Sequence, residues 1–445
     1  MEKKLVSLLH YREPYHSVKE AVTACKGLDH MPSKARVFIK PNLLFWTKEC
    51  EFPKWGVITT SRVIEDMVIL LKEHGIDDIT IGEGLVDNSK NMETTQDAFK
   101  TLGYEELGRR YGVKYVNAMA RPFKKVEMGD GINLKINEDI ISSDFVVNLP
   151  VLKTHNQTVT SLGIKNLKGI IDTNSRKKCH SADPDKDLDY HVSKLADKMP
   201  PMFTLIDGIY SLERGPSFDG KMSRMNILVA SPDVLSADMV GTKILGHEPS
   251  DVPHLVYATK RRRRPVDLSD VSVVGENIED VASWHQYTVN YISDKEKELP
   301  EPLVRQGITG IFYRKFDSTM CTYCSQLNGL ILTAIRNAWD GKPFDNVEVL
   351  TGKSMKPTPG MNTTLLIGQC MYQLNKDDPN IKNLVYVKGC PPDPQEVADA
   401  FKEGGVNVDE NMFAQINKLP GYFMSRYKDK PEFEESFFRT YLRER

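Results

Sequence analysis

Four cysteines in the last third of the chain carry the clearest chemical signal. Cys321 and Cys324 form a C-x-x-C pair; 45 residues separate Cys324 from Cys370, and 19 separate Cys370 from Cys390. Such a pair alone is compatible with structural zinc, a redox dithiol or coincidence. The placement of the other two raises the specificity. Cys370 follows the apolar run TTLLIG and Cys390 follows LVYVKG, so both are expected at the carboxyl edge of one parallel sheet, where open α/β sheets assemble ligand sites. Four thiolates converging there suit a [4Fe–4S] cube, with Gly368, Gly389 and the Pro391-Pro392 pair permitting close backbone approach. Zinc is the alternative metal, because four thiolates also satisfy that ion. Cys25, Cys50 and Cys179 have no comparable spacing and read as packing or surface residues.

A second constellation lies in FVVNLPVLKTHNQTVTSLGIKNLKGIID. A buried-looking strand precedes what reads as a loop carrying Lys153, Thr154, His155, Asn156, Lys165, Asn166 and Lys168. Ammonium groups beside Gly163 and Gly169 suit a carboxylate or phosphate, since exposed backbone donors can complete its shell. Three other strand ends point the same way: IKPN at 39–42, IGEG at 81–84 and IDGIYSLERGPSFDGK at 206–221. Lys40 and Asn42 supply donors, while Glu83, Asp207 and His155 are the acid/base candidates. Each loop alone reads as a capped turn, but four polar loops at one sheet edge imply a cleft.

The elements that must position these residues follow an α/β rhythm. VFI (37–39), ITI (79–81), VKYV (113–116), FVVNLP (145–150) and FTLID (203–207) read as strands. Between the first two, SRVIEDMVILLKEHG reads as a helix capped by Ser61 and closed by Gly75, with Val63, Met67, Leu70 and Leu71 on one face. NILVA (226–230) and VSVVG (271–275) extend this unit to about residue 290, where SDKEKELPEPLVRQG suits a boundary. A second unit follows, with strands at 347–352, 363–368 and 384–389 and helices over about 323–338 and 395–403. The expected architecture is α/β, with two Rossmann- or flavodoxin-like units, 1–290 and 291–445, built on mainly parallel sheets.

Composition limits the function classes. The 445 residues carry 59 Lys+Arg against 61 Asp+Glu, a formal net charge of −2, which argues against a whole surface adapted to nucleic acid or an anionic membrane. Any anion-binding surface must therefore be local. No apolar run reaches the ~18–20 residues of a membrane span, and MEKKLVSLLHYREPYHSVKE lacks the apolar core of a signal peptide. The reading is a cytoplasmic chain in which an odd set of seven cysteines favours metal or redox chemistry over disulfides. RRRR at 261–264 and the acidic SADPDKDLDYH between His180 and His191 read as solvated stretches.

Two resemblances attach to these motifs. IGQC…VKGCPPDPQEVADAF, within about 320–405, resembles the cluster-bearing small subunits of nickel–iron hydrogenase and respiratory complex I, which share a Gly-x-Cys and a Gly-Cys-Pro-Pro followed by a helix. IKPN, IGEG, LPVLKTH, GIKNLKG, DGI…E-x-G-P and SPDVLSADMVG, within 35–285, occur in the order seen in the uncharacterised family called domain of unknown function 362. Members of that family are often coupled to iron–sulfur modules, but the family implies no substrate. Arg214 stands in a loop where many relatives carry a Met-Glu-Gly type sequence, which alters what the loop contacts.

Other motifs fail on inspection. Gly215–Lys221 has P-loop spacing, but Met222 replaces the Ser or Thr and no convincing strand precedes it. Gly352-Lys353-Ser354 lacks the first glycine of such a loop, and GEGLVD lacks the last glycine of a dinucleotide fingerprint. Asp233 and Asp238 in SPDVLSADMVG are cleft candidates, with capping an equal account of Asp233. The resulting expectation is an iron–sulfur oxidoreductase that takes electrons from a ferredoxin-like partner and acts on a small anionic molecule. A homodimer is compatible with it. A non-catalytic electron-transfer or metallocluster-handling protein and a structural-zinc hydrolase or transferase are the competing classes.

Overall fold

A computed structural model describes residues 3–86 and 92–441; Asp87, the last residue of GEGLVD, lies outside them. The chain forms two compact units, one of Met1–Ser175, Asp189–Tyr287 and Pro420–Arg445, the other of Arg176–Leu188 and Thr288–Leu419. The boundary near 290 is thus accompanied by two exchanges that no composition shift marks. Residues 176–188 join the second unit and 420–445 return to the first.

The first unit contains β1 (Lys4–His10), β2 (Val37–Pro41), β3 (Ile79–Glu83), β4 (Lys114–Asn117), β5 (Phe123–Glu127), β6 (Asn133–Asn137), β7 (Phe145–Leu149), β8 (Val151–His155), β9 (Val159–Thr160), β10 (Met202–Glu213), β11 (Lys221–Ser231) and β12 (Val271–Gly275). Its main sheet runs β12-β1-β11-β10-β7-β2-β3-β4, with β8 also on β10 and β9 on β8. From β10 through β7, β2 and β3 to β4 every pairing is parallel. Helices cover both faces, as a parallel sheet requires. Val63, Met67 and Leu71 of the helix Ser61–Glu73 are fully buried in one core with Ile39, Ile81 and Val147. Ala237, Val240 and Ile244 of the helix Val234–Ile244 share the other core with Leu152, Ile206 and Val229.

The second unit holds β13 (Tyr291–Ser293), β14 (Glu298–Pro300), β15 (Ile311–Tyr313), β16 (Val347–Leu350), β17 (Thr363–Ile367) and β18 (Leu384–Val387), adjacent in that order. All pairings from β14 to β18 are parallel, and β13 caps the edge antiparallel. Ile331 and Ile335 of the helix Asn328–Ala338 and Val397 and Phe401 of the helix Pro394–Glu403 build its core with Val349, Leu365 and Val385. Both units are α/β with largely parallel sheets, as the strand–helix rhythm implied.

Several local expectations are corrected. Lys153, Thr154 and His155 lie on a strand rather than a loop: Pro150, which lacks an N–H, interrupts the run, and β8 resumes beside β10. β10 continues to Glu213, so residues 208–213 of the stretch after Asp207 are strand. A strand therefore does precede the P-loop-like Gly215–Lys221, but the segment turns into β11 instead of a helix, which no P-loop does. Thr60, not Ser61, caps the helix Ser61–Glu73 by accepting from Val63 N, while Ser61 Oγ donates to Leu102 O at 2.8 Å. The helix expected over 323–338 is two, Thr322–Ser325 and Asn328–Ala338. The RRRR stretch is only partly solvated, because Arg264, with 9% of its side chain exposed, pairs with Asp233 and Asp270 at 2.5 and 2.7 Å. His180 and His191 are both buried, although residues 182–185 between them are exposed.

Leu71 has no exposed surface, so Leu71→Ala should lower the unfolding free energy by about 2–5 kcal/mol, the transfer and cavity cost of a buried Leu. Urea denaturation followed by far-UV circular dichroism checks this; a loss below about 1 kcal/mol would mean that the helix is not packed as described.

Candidate functional site

The carboxyl ends of β2 and β3 place Lys40 and Glu83 side by side. Lys40 Nζ lies 2.6 Å from Glu83 Oε2, with side chains only 0% and 4% exposed. A buried ion pair is tolerable only when further hydrogen bonds satisfy both groups, and here they do. Lys40 also donates to Pro41 O at 2.6 Å and to Asn166 Oδ1 at 3.4 Å. Glu83 accepts from Leu43 N at 3.0 Å and Gly84 N at 2.7 Å. Gly169 sits over the pair, and a Cβ there would fall 2.7 Å from Lys40 Nζ. Glu83, an acid/base candidate, is committed to this network.

Polar side chains connect the surrounding segments, and of these only Asn148 was not among the sequence candidates. Asn166 Nδ2 donates to Lys40 O and to Asn148 Oδ1, at 3.1 and 2.9 Å, and Asn148 Nδ2 donates to Gly163 O at 3.0 Å. Asp238 accepts from the N–H groups of Gly163 and Ile164 at 2.6 and 2.8 Å, which holds the GIKNLKG segment against the helix Val234–Ile244. Burial pushes the Asp238 carboxyl up to about 7 even though both donors oppose the shift. Asp233 caps that helix through Ser236 N.

The remaining candidates divide between structural bonding and the site. Asp207, at an irregularity in β10, accepts from Thr60 N at 2.7 Å and Ile209 N at 3.1 Å. Burial still raises its pKa above the ordinary carboxylate value. Asn42 N donates to Thr59 Oγ1 at 2.7 Å and its amide to Val57 O. Thr154 Oγ1 donates to Gln286 O and accepts from Arg214 N, at 3.0 and 2.9 Å. His155 Nδ1 accepts from Gln157 N at 3.0 Å. Lys165 is buried on the short helix Gly163–Asn166, and Lys168 is half-buried in the following turn.

Lys153 differs from all of these. It is 2% exposed, and among the described residues its Nζ has neither a hydrogen-bond nor an ion-pair partner. Burial pulls its pKa from 10.5 down to about 7, with the Glu83 charge opposing and the Lys40 charge reinforcing the shift. An amine with a free lone pair near neutrality can accept a proton or attack a carbonyl, which an ordinary surface lysine cannot do efficiently.

The second unit gathers the four cysteines. Cys321 stands at the N-cap position of the helix Thr322–Ser325, which contains Cys324, Cys370 is the second residue of the helix Gln369–Asn375 after β17, and Cys390 follows β18. Gly368 N donates to Val387 O and Gln369 N to Gly389 O, at 2.8 and 3.2 Å, which stitches the last two loops together. With φ of 92°, Gly368 leaves room for Cys324, whose Sγ would be 3.3 Å from a Cβ there. Cys321 and Cys324 share a hydrogen bond that holds the first thiol below and the second above the ordinary value; the charges of Cys390 and Cys370 add to the rise at Cys324. Among the described residues, no group of three or more His, Cys, Asp or Glu side chains is arranged to hold a metal ion. The thiols thus influence one another electrostatically without forming a closed ligand set.

Two lysines missed in the sequence accompany them. Lys177 Nζ lies 3.2 Å from Cys390 Sγ and 5.1 Å from the centroid of the Tyr323 ring. Burial works against its charge, but the Cys390 sulfur together with Cys321 and Tyr323 outweighs that and leaves its pKa above normal. Lys353 Nζ donates to Lys177 O at 2.9 Å and to His180 O, fixing the segment that presents Lys177. Gly352-Lys353-Ser354 was the available signal for Lys353, and it pointed to the wrong motif.

Comparison with known proteins agrees with the amino-terminal motifs. Residues 37–243 match the family described as domain of unknown function (DUF362). Thylakoid-associated protein sll1697 of Synechocystis sp. is 28% identical over 222 residues, covering 49% of this chain and 65% of that protein. The lactate racemase apoprotein of Thermoanaerobacterium thermosaccharolyticum aligns with a TM-score of 0.36 and 13% identity, over 55% of this chain and 57% of that one. No helix among the described residues is long and apolar enough to cross a membrane.

Lys40→Met should destabilise the chain by about 3–5 kcal/mol, because it leaves Glu83 buried and unpaired, whereas Lys40→Met/Glu83→Leu should cost less than the single change. Denaturant titration of both variants checks the order, and a double variant worse than the single one would contradict it. Lys153 gives a pH signature. Its folded pKa lies below its unfolded value, so the unfolded chain binds more protons between about pH 7 and 10.5, and Lys153's contribution to stability grows over that range and is lost as pH falls. The parent should therefore gain stability over Lys153→Met between pH 7 and 9.5, while equal slopes would mean that the amine ionises alike in both states.

Proposed function

We propose that the chain is an iron–sulfur redox protein, with a [4Fe–4S] cluster on Cys321, Cys324, Cys370 and Cys390 and a site for a carboxylate- or phosphate-bearing molecule around Lys153. The observation that carries the reading is four thiols in mutual electrostatic reach with the Lys177 ammonium on Cys390. The donor set fits the group in type and number. Cys370 and Cys390 are exposed, so closing the ligand set needs reorientation of side chains that little packing restrains. When bound, such a cluster supplies one-electron transfer.

The chain's own residues have separable tasks in this reading. Lys177 and Lys353 offset the negative charge that four thiolates bring together, and Lys353 orients Lys177 through the backbone it binds. In the first unit Lys153 accepts or returns a proton, since its amine is poised near neutrality, and the Lys40–Glu83 pair keeps the strand ends rigid. Lys165 and Lys168 attract the anion. A ferredoxin-like protein is the electron partner in this scheme. Nothing in the match to an uncharacterised family or to a protein described as thylakoid-associated names the substrate.

Protein purified without oxygen should contain about four iron and four acid-labile sulfide per chain, with a broad band near ~400 nm that dithionite bleaches. Cys390→Ala should lose most of both. Zinc without sulfide, or no metal after anoxic reconstitution, would replace this reading with a structural-metal or metal-free one.

A further inference from the structure

The first unit carries a cationic groove that neither the cysteines nor the Lys153 site explains. It has a volume of about 730 Å³ and is bordered by Arg214, Lys221, Arg224, Arg426 and Lys430 against one acid, Glu432. Two elements distant in sequence form it: the β10–β11 turn and strand ends, and the segment after residue 420. The chain as a whole has a formal charge of −2, so this concentration is local rather than a general surface property.

The cations are not all neutralised within the protein. Lys221 pairs with Glu213 at 2.9 Å and Arg224 with Glu434 at 3.1 Å. Arg426 donates to the Asp219 carbonyl at 3.2 Å, and the Asp219 carboxyl acts on Arg426 and Arg214 only through space, without an ion-pair contact to either. Among the described residues Arg214, Arg426 and Lys430 form no ion pair. Arg214 is also held at φ 54°, with its N–H bonded to Gln286 O and Thr154 Oγ1 at 2.9 Å each, so its backbone is fixed in a conformation that few non-glycine residues adopt.

The floor is aromatic and rigid. Phe433 packs edge-on to Tyr427 at 4.6 Å and to Trp55 at 5.3 Å between ring centroids. The Tyr427 hydroxyl donates to Gly220 O and accepts from Met222 N, so it is already satisfied and serves as wall. Arg224 holds the opposite end by donating to the Tyr210 hydroxyl at 2.7 Å and to Glu432 O at 3.2 Å.

We propose that this groove binds a small organic polyphosphate, with its anionic end on Arg214, Arg426 and Lys430 and a flat apolar portion against Phe433 and Tyr427. Guanidinium forks match phosphate oxygens in pairs, which suits Arg214 and Arg426, and the Lys430 ammonium adds a point charge beside them. The volume falls within the ~300–1,000 Å³ of small-molecule sites.

The test is isothermal titration of the full chain with ATP, inorganic pyrophosphate and adenosine, at low and physiological salt. ATP should bind saturably and more tightly than pyrophosphate, adenosine should bind weakly, and salt should weaken both anions. Arg426→Gln/Lys430→Gln changes two exposed side chains and should weaken ATP at least tenfold, with an unchanged unfolding midpoint and unchanged metal content. Pyrophosphate binding as tightly as ATP would overturn the role of the aromatic floor. Failure of either anion to saturate, or ATP binding untouched by the double variant, would overturn the site itself. Because the variant leaves every cysteine and Lys153 in place, its outcome is independent of the redox reading.

Discussion

The ion pair between Lys40 and Glu83 organises the first unit. Two opposite charges with almost no solvent exposure, 2.6 Å apart, survive only if every remaining hydrogen-bonding position is filled. Filling them draws in the end of β2, the backbone at Leu43 and Gly84, and Asn166 from the segment after β9. The Asn166–Asn148 bond then carries the constraint to β7, and Asp238 carries it to the helix Val234–Ile244. A set of strand ends that would otherwise be independent loops becomes one framework.

That framework gives Lys153 its chemistry. The neighbouring carboxylate is already engaged by Lys40, so Lys153 lies buried near a charge that it does not pair with. Desolvation therefore outweighs attraction and the amine is poised near neutrality. The second unit solves a related problem in the opposite direction. There thiols are gathered, and each added thiolate makes the next harder to form, so Lys177 and Lys353 stand where they offset that repulsion.

Much of the fold was legible because it rests on local periodicity. Short apolar runs separated by amphipathic helices imply parallel strands, and the helix Ser61–Glu73 buries Val63, Met67, Leu70 and Leu71 as its spacing requires. Errors arose where a neighbour decides between strand and loop. Polar residues at 153–155 and 208–213 look like loop in isolation, yet β8 and β10 satisfy each other's backbone groups and both persist. Arg264 looked like part of a solvated run, and two carboxylates from elsewhere bury it.

By itself the sequence determined the alternation of strands and helices, the position of Cys370 and Cys390 just beyond two strands, and the richness of lysine near the strand ends, because each is a property of neighbours in the chain. Only the tertiary structure decided which lysine is neutralised, which is left alone, and which meets a thiol. Lys177 and Cys390 are 213 positions apart, and residues 176–188 belong to a unit that otherwise begins at Thr288. Pairings over such distances depend on packing and desolvation after the chain has closed on itself, and no periodicity or spacing records them.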